Sequence, residues 1–175
     1  LVQDRVSGKY PVVTGESGGK PQLQLMEWPF FPLMNRFADH PITRNLDAVV
    51  TRFVSSMDTV KAEGVKKTPL LFSSQYARTV AAPVPVNINE LRKNAKEEDF
   101  STSFIPVGYL LEGTFTSLFK NRFLPDEVDQ TSFLERSKAT KIIVIADGDL
   151  ARNDINPRTG QPQQLGYDQF SRYTF

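Results

Sequence analysis

The stretch Ile142-Ile143-Val144-Ile145-Ala146-Asp147-Gly148-Asp149 carries the clearest structural signal in the chain. Its first five residues form a continuous apolar run rich in β-branched side chains, which is typical of a strand buried on both faces of a parallel sheet. Two carboxylates follow directly, and open α/β sheets bind their ligands at the carboxyl ends of such strands. The stretch therefore predicts a central strand followed by a candidate site.

Strand and helix patterns alternate over the middle of the chain. Residues 68–72 and 104–111 are short apolar runs bounded by polar residues, as strands are. Residues 115–123 carry phenylalanine and leucine at helical spacing, and a second helix is predicted over residues 131–139. Residues 90–98 predict a charged, mostly solvated helix.

This alternation predicts an α/β fold, a three-layer sandwich with a mainly parallel, Rossmann- or flavodoxin-like sheet. The N-terminal part is expected to add antiparallel pieces. Residues 1–20 are predicted as loops or a hairpin, and residues 28–33 hold too many prolines for a regular element. Residues 49–54 fit helical spacing, but their β-branched side chains favour a strand.

Composition limits both the class of protein and its chemistry. The chain has 175 residues, 39% of them hydrophobic, which suits a single folded domain over residues 1–175. A net charge of +1 gives no basic footprint for nucleic acid, and the longest apolar run is far shorter than the roughly 20 residues of a membrane span. The absence of cysteine and the single histidine exclude thiolate nucleophiles and His-rich metal sites.

Asp147 and Asp149 are the first candidate site residues, and Asn153 and Asp154 could extend the cluster. Paired carboxylates on a glycine turn can hold Mg²⁺ or place an aspartyl nucleophile, so a magnesium-dependent phosphohydrolase is one hypothesis. The pattern resembles that of haloacid dehalogenases but has Ala151 where they have threonine. Asp-Gly also begins ordinary turns, which is the alternative.

Two further groups follow predicted strands. Ser73 and Ser74 end one run, and with Arg78 they could form an anion pocket, although a helix cap explains the serines equally well. Glu112 ends another run, and Arg122 follows it a few turns later. If the strands run parallel, these ends meet at one rim, which predicts a ligand-binding edge.

Two familiar motifs are excluded by inspection. Residues 15–20 resemble a phosphate-binding loop, but Thr14 stands where the first glycine would have to be, so this is a flexible turn. His40 lies in a proline-rich segment without a Gly-X-Ser-X-Gly elbow nearby, so a Ser-His-Asp triad has no support. Trp28 and its aromatic neighbours fit a core, although a protein interface is the alternative.

An ordered set of short motifs spans nearly the whole chain and resembles the gliding-motility-associated ABC transporter auxiliary family, GldG. The motifs are Trp28-Pro29-Phe30-Phe31-Pro32-Leu33, His40-Pro41-Ile42, Ser55-Ser56-Met57-Asp58, Thr68-Pro69-Leu70-Leu71, Leu111-Glu112-Gly113-Thr114-Phe115, Ile143-Val144-Ile145-Ala146-Asp147-Gly148-Asp149 and Leu165-Gly166-Tyr167-Asp168.

The resemblance implies a non-enzymatic, substrate-binding-like auxiliary subunit of a bacterial cell-envelope ABC transport system, mostly from Bacteroidetes. It implies a soluble section, at the periplasmic face of the inner membrane, of a longer membrane-anchored chain whose anchors lie outside these residues. Permease and ATPase subunits are the implied partners, with a small-molecule ligand as a further possibility. It brings no cofactor, no metal and no catalytic residue.

Three hypotheses therefore stand. The first is a binding component of an ABC transport system, with its candidate ligand site formed by Ser73, Ser74, Arg78, Glu112, Arg122, Asp147, Asp149 and Asn153. The second is a magnesium-dependent phosphohydrolase that uses Asp147 and Asp149. The third is a protein–protein scaffold whose interface is formed by Trp28 and its aromatic neighbours.

Overall fold

The backbone folds almost entirely into strands. The computed structural model describes residues 1–84, 86–87, 96–126, 129 and 131–175. Within these ranges the only helical piece is a 3-10 turn at Glu97–Asp99. The strands are β1 (Val2–Asp4), β2 (Ser7–Ser17), β3 (Lys20–Met34), β4 (Arg36–Phe37), β5 (Val49–Val50), β6 (Val65–Phe72), β7 (Ala77–Thr79), β8 (Pro106–Gly113), β9 (Thr140–Ile145), β10 (Tyr167–Asp168) and β11 (Tyr173–Thr174).

Every strand pair among the described residues is antiparallel. The larger sheets have the strand orders β4-β6-β8-β9 and β2-β3-β5, and β1-β7 and β10-β11 form two-stranded sheets. The predicted α/β sandwich with a mainly parallel sheet is therefore wrong. Because β8 runs opposite to both β6 and β9, Glu112 near its end lies at the other end of the sheet from the residues that follow β6 and β9, so the three predicted groups do not share one rim.

The apolar run that suggested a buried central strand forms β9, at the edge of the four-stranded sheet. Ile142, Ile143 and Val144 are 42%, 51% and 37% exposed. A continuous apolar run fits a strand buried on both faces, but an open edge strand can carry the same residues. The prediction of this strand is confirmed, as are those over residues 68–72 and 104–111. The predicted parallel arrangement of the three strands is wrong.

The helices predicted over residues 115–123 and 131–139 are also wrong. These segments extend the β8–β9 pair as an arm, in which Ser117 N–H donates to the Glu135 carbonyl (2.9 Å) and Ser137 N–H to the Phe115 carbonyl (2.8 Å). Leu118 and Phe123 are exposed, so the helical spacing of the apolar residues does not mark a buried face. Of the helix predicted over 90–98, residues 90–95 lie outside the described residues.

The N-terminal part forms a long β2–β3 hairpin. Gly18 and Gly19 make its turn with φ of 59° and 74°, a backbone conformation that suits glycine, so the predicted flexible turn is a hairpin tip. The expectation that residues 28–33 cannot be regular is wrong, because they belong to β3. Pro29 falls where the β2–β3 register is irregular, and there a missing N–H breaks no ladder.

Residues 51–57, which we call the bridging segment, connect the two larger sheets. Thr51 and Phe53 donate their N–H groups to the carbonyls of Pro32 and Phe30 in β3 (2.9 and 2.8 Å). Ser55 and Met57 donate to the carbonyls of Ala146, after β9, and Pro106, in β8 (3.1 and 2.9 Å). The first half of the segment is thus bonded to one sheet and the second half to the other.

The core lies beneath these bonds. It is formed by buried apolar side chains from strands and loops of several sheets: Val2, Met34, Val54, Leu71, Ala77, Ile105 and Val107. Full burial of one such side chain stabilises the fold by about 1.5–3 kcal/mol. Met34 is fully buried at the end of β3 and joins that strand to the four-stranded sheet.

We predict that Met34→Ala lowers the free energy of unfolding by about 2–5 kcal/mol, because a large buried side chain leaves a cavity. Leu23→Ala is the matched control, since Leu23 lies on the same strand and is 64% exposed. Urea unfolding measures both. Equal losses in the two variants would show that this core assignment is wrong.

Candidate functional site

A cavity of about 390 Å³ lies beside the four-stranded sheet. Its size falls within the usual range for small-molecule sites. Apolar side chains form most of its walls. They come from β4 and the segment after it, from β5, β6 and β9, and from the C-terminal part: Phe37, Ile42, Leu46, Val49, Val50, Leu70, Leu71, Ile143, Ile145, Leu150, Leu165, Tyr167 and Phe175. Charged groups also line it: Arg52, Asp147, Asp149, Arg152, Asp154 and Asp168.

Asp147 connects β9 to the bridging segment. One carboxylate oxygen accepts the N–H of Arg52 (2.7 Å), and the other accepts the N–H of Asp149 (2.8 Å). The side chain is almost fully buried, so these bonds replace the water that its charge would otherwise bind. The predicted Asp-Gly turn is present, and its first carboxylate holds two backbone segments together.

Arg52 and Asp154 form a bidentate ion pair. The two guanidinium nitrogens donate to the two carboxylate oxygens at 2.9 and 2.6 Å, and both side chains are mostly buried. The hydrogen bond to Asp154 raises the pKa of Arg52, and the same bond lowers the pKa of Asp154 below its ordinary value. The guanidinium also lies 5.7 Å from the centre of the Phe31 ring, which links it to the aromatic cluster of β3.

Asp149 and Asp168 keep acceptor capacity toward the cavity. Asp149 pairs through one oxygen with the exposed Arg152 (2.9 Å). Asp168 accepts the backbone N–H of Ser171 on one oxygen (2.8 Å) and that of Phe170 on the other (3.5 Å), and each carboxylate oxygen can accept more than one hydrogen bond. Among the described lining residues, four carboxylates face two guanidiniums. Since Arg52 is already engaged by Asp154, the charged part of the wall is net negative.

The structure places only part of the predicted ligand set at this cavity. Asp147 and Asp149 line it. Asn153, which the sequence grouped with them, donates its side-chain N–H to the carbonyl of Gln163 (2.8 Å) and supports the loop behind the lining. Arg52 and Asp168 were not predicted, because no local pattern connects them to residues 147–149.

Ser73, Ser74 and Arg78 belong to a separate network around β1 and β7. Ser74 donates both its N–H and its hydroxyl to the buried Asp4 (2.7 Å each), and Ser73 Oγ accepts the N–H of Ile105 (2.8 Å). Arg78 donates to the Gln3 side chain (2.6 Å). Burial raises the pKa of Asp4, although the hydrogen bonds that it accepts act in the opposite direction. These contacts hold the chain together rather than facing the cavity.

Glu112 and Arg122 lie elsewhere. Glu112 is paired across the β8–β9 ladder with Lys141, and their side chains form an ion pair at 2.8 Å. This pair is four residue steps, or about 14 Å along the strand, from the Gly108–Ile145 pair next to Asp147. Arg122 is exposed in the arm. The common rim predicted for Ser73, Glu112 and Asp147 does not form, because β6 and β8 are antiparallel.

Two alternatives from the sequence gain no support from the geometry. Among the described residues, no group of three or more His, Cys, Asp or Glu side chains is arranged to hold a metal ion. Both carboxylate oxygens of Asp147 accept backbone N–H groups, which does not favour a role as a nucleophile or a metal ligand. Trp28 and Phe30 are buried, and Trp28 stacks on Phe31 at 5.4 Å, so the aromatic motif is internal packing rather than an exposed interface.

Comparison with known families agrees with part of the resemblance. The sequence profile of the family described as an ABC-type uncharacterized transport system matches residues 1–175. The chain belongs to this family. Membership indicates an auxiliary component of an ABC transport system and a cell-envelope location, whereas the likeness to the gliding-motility-associated group remains an expectation. Neither a curated protein nor a solved structure matches the chain.

In the part of the chain that the structure describes, no helix has the length and the apolar character to span a membrane.

We predict that Asp154→Asn lowers the free energy of unfolding at pH 7 by about 1–3 kcal/mol, because it breaks a charge-assisted pair and leaves Arg52 without its partner. The folded-state pKa of Asp154 lies below its ordinary value of 3.8. The pair therefore stabilises the fold fully above that ordinary value, and its contribution is lost as the pH falls through the folded-state pKa. Because the variant lacks this carboxylate, its free energy of unfolding should decrease less than that of the wild type as the pH falls.

Urea unfolding at pH 7 and at several values below pH 4 measures both effects. Arg152→Gln is the matched control, since its exposed guanidinium should contribute less than about 0.5 kcal/mol. If Asp154→Asn were as stable as the wild type at pH 7, the stabilising role assigned to the Arg52–Asp154 pair would be wrong.

Proposed function

We propose that residues 1–175 form one domain of a membrane-anchored, non-catalytic ligand-binding component of a cell-envelope ABC transport system. The domain holds a small molecule in the cavity beside β9 and serves the permease and ATPase subunits of that system. The cavity is the observation that carries this proposal, because it combines apolar walls with a few converging polar groups in a chain of an ABC transport family.

The walls favour a ligand with an apolar body. Ile42, Leu46, Val50, Ile143 and Leu165 surround the cavity, and burial of apolar surface is the main source of affinity for such a body. Several of these side chains are partly exposed, so a bound molecule would remove them from water.

The charged groups favour a cationic or hydrogen-bond-donating part on that ligand. Asp149 and Asp168 have acceptor capacity left, whereas Arg52 is held by Asp154. An ammonium group on the ligand would be attracted by these carboxylates, and a carboxylate on the ligand would be repelled. We therefore propose an amphiphilic cation as the class of ligand.

The transport role rests on the family and on the resemblance. Energy from ATP is assigned to a partner, since the glycine-rich residues 15–20 form a hairpin tip instead of a phosphate-binding loop. A periplasmic location and a role in gliding motility follow from the resemblance alone and belong to the proposal.

We predict that octylammonium binds the chain about tenfold more tightly than octanoate, because the two probes are similar in length and differ in charge. NMR titration measures both affinities. Asp168→Asn should weaken octylammonium binding several-fold and strengthen octanoate binding, because it removes one of the carboxylates that attract the cation and repel the anion. Tighter binding of octanoate would overturn the proposed ligand class.

Leu46→Trp tests whether the probes enter the cavity. The larger side chain occupies part of the cavity and should weaken both probes, whereas Leu23→Trp, on the exposed hairpin, should weaken neither. Undiminished binding to Leu46→Trp would place the probes elsewhere. Magnesium-stimulated phosphatase activity that Asp147→Asn abolishes would overturn the non-catalytic part of the proposal.

The partners are tested with the full-length protein solubilised from membranes of its source. We predict that an ATPase and a permease co-purify with it, as identified by mass spectrometry. An unrelated tagged membrane protein from the same membranes is the control. Recovery of neither subunit under conditions that keep other ABC complexes intact would contradict the transport role.

A further inference from the structure

The outer edge of β9 is open and apolar. Within the described residues β9 pairs only with β8, so one row of its backbone N–H and C=O groups has no strand beside it. Ala146, just after β9, donates its N–H to the carbonyl of Val107 in β8 (3.0 Å). Because the direction of the backbone groups alternates along a strand, Ile142 and Val144 direct theirs to β8, and Lys141, Ile143 and Ile145 direct theirs outward.

This edge lacks the devices with which proteins usually block further strand pairing. Thr140–Ile145 contains no proline, and its ladder to β8 has no bulge. Its only charge, Lys141, is paired with Glu112 on the neighbouring strand at 2.8 Å. Ile142 and Val144 are exposed on one face and Ile143 on the other, so a strand laid along this edge would cover apolar side chains on both faces.

We propose that β9 pairs with β9 of a second copy of this chain, in antiparallel orientation, to form one continuous eight-stranded sheet. A two-fold axis perpendicular to the sheet requires opposed residues to share a face. Among the registers that this symmetry allows, the one with Ile143 on the axis pairs the outward-directed backbone groups of all three odd-numbered residues, 141, 143 and 145. Ile142 then lies opposite Val144 of the second copy, and Lys141 lies opposite Ile145 of the second copy.

The register explains why the occupant is a second copy. All three outward-facing residues of each strand find backbone partners, since Ile143 pairs with its own equivalent and Lys141 pairs with Ile145. No like charges face each other, because each Lys141 lies opposite an isoleucine and is held by its own Glu112. The edge is nearly neutral and β-branched, so its best complement is another strand of the same composition.

The first experiment measures the mass of the 175-residue chain by sedimentation equilibrium. We expect a dimer in the micromolar range. Val144→Lys alone and Ile142→Glu alone should each weaken dimerisation about tenfold or more, since both place an unpaired charge against an apolar residue of the other copy. The double variant should recover most of the affinity, because each new ammonium then lies opposite a new carboxylate of the second copy.

A second experiment uses the absence of cysteine from the chain. Ile143→Cys should form a covalent dimer under mild oxidation, because opposed residues of a hydrogen-bonded pair have Cα atoms about 5.5 Å apart, within the range of a disulfide. Ile155→Cys, at a similarly exposed position outside β9, is the control and should stay monomeric.

Three outcomes would overturn the proposal. If the wild-type chain is a monomer at high micromolar concentration, a second copy does not occupy this edge, and a strand from another protein becomes the alternative. A dimer that is insensitive to both single variants would use another face. Single variants that weaken the dimer without recovery in the double variant would exclude this register. Circular dichroism and melting temperature confirm that each variant is folded before its mass is interpreted.

Discussion

The hydrogen bond from the backbone N–H of Arg52 to the carboxylate of Asp147 is the interaction on which the rest of the structure depends. Asp147 follows β9 directly, and Arg52 lies between Thr51 and Phe53, whose own N–H groups bond to β3. One carboxylate thus fixes the end of one sheet against the segment that borders the other. The polar end of the cavity is built from the same residues, so the stability of the fold and the shape of the site have a common origin.

The electrostatic character of the cavity follows from this arrangement. The backbone N–H of Arg52 bonds to Asp147. Its guanidinium is paired with Asp154 through two bonds, which leaves little of its charge for a ligand. In the function that we propose, the remaining carboxylates therefore decide which molecules the cavity favours.

Three strands could be predicted because their signals are local. Residues 68–72, 104–111 and 141–146 are apolar runs between polar residues, and all three form strands. Strand direction has no comparable local signal, and the apolar run of β9 fits an open edge as well as a buried centre. Of the cavity, Asp147 and Asp149 were found since they adjoin a strand, whereas Arg52 is separated from Asp154 by 102 positions. In the arm, the helix prediction was wrong because apolar residues occur at helical spacing without forming a buried face.

The bridging segment has a consequence for how a molecule could reach the cavity. Residues 51–57 bond to β3, β8 and the residue after β9, and Val54 accepts the N–H of Val2 from β1. Sliding one sheet past another would have to break these bonds together, so the sheets form a rigid frame. The remaining walls, around Ile42 and Leu46 on one side and Leu165 on the other, come from irregular segments without such cross-links. In the function that we propose, these loops, rather than the sheets, move to admit and release the ligand.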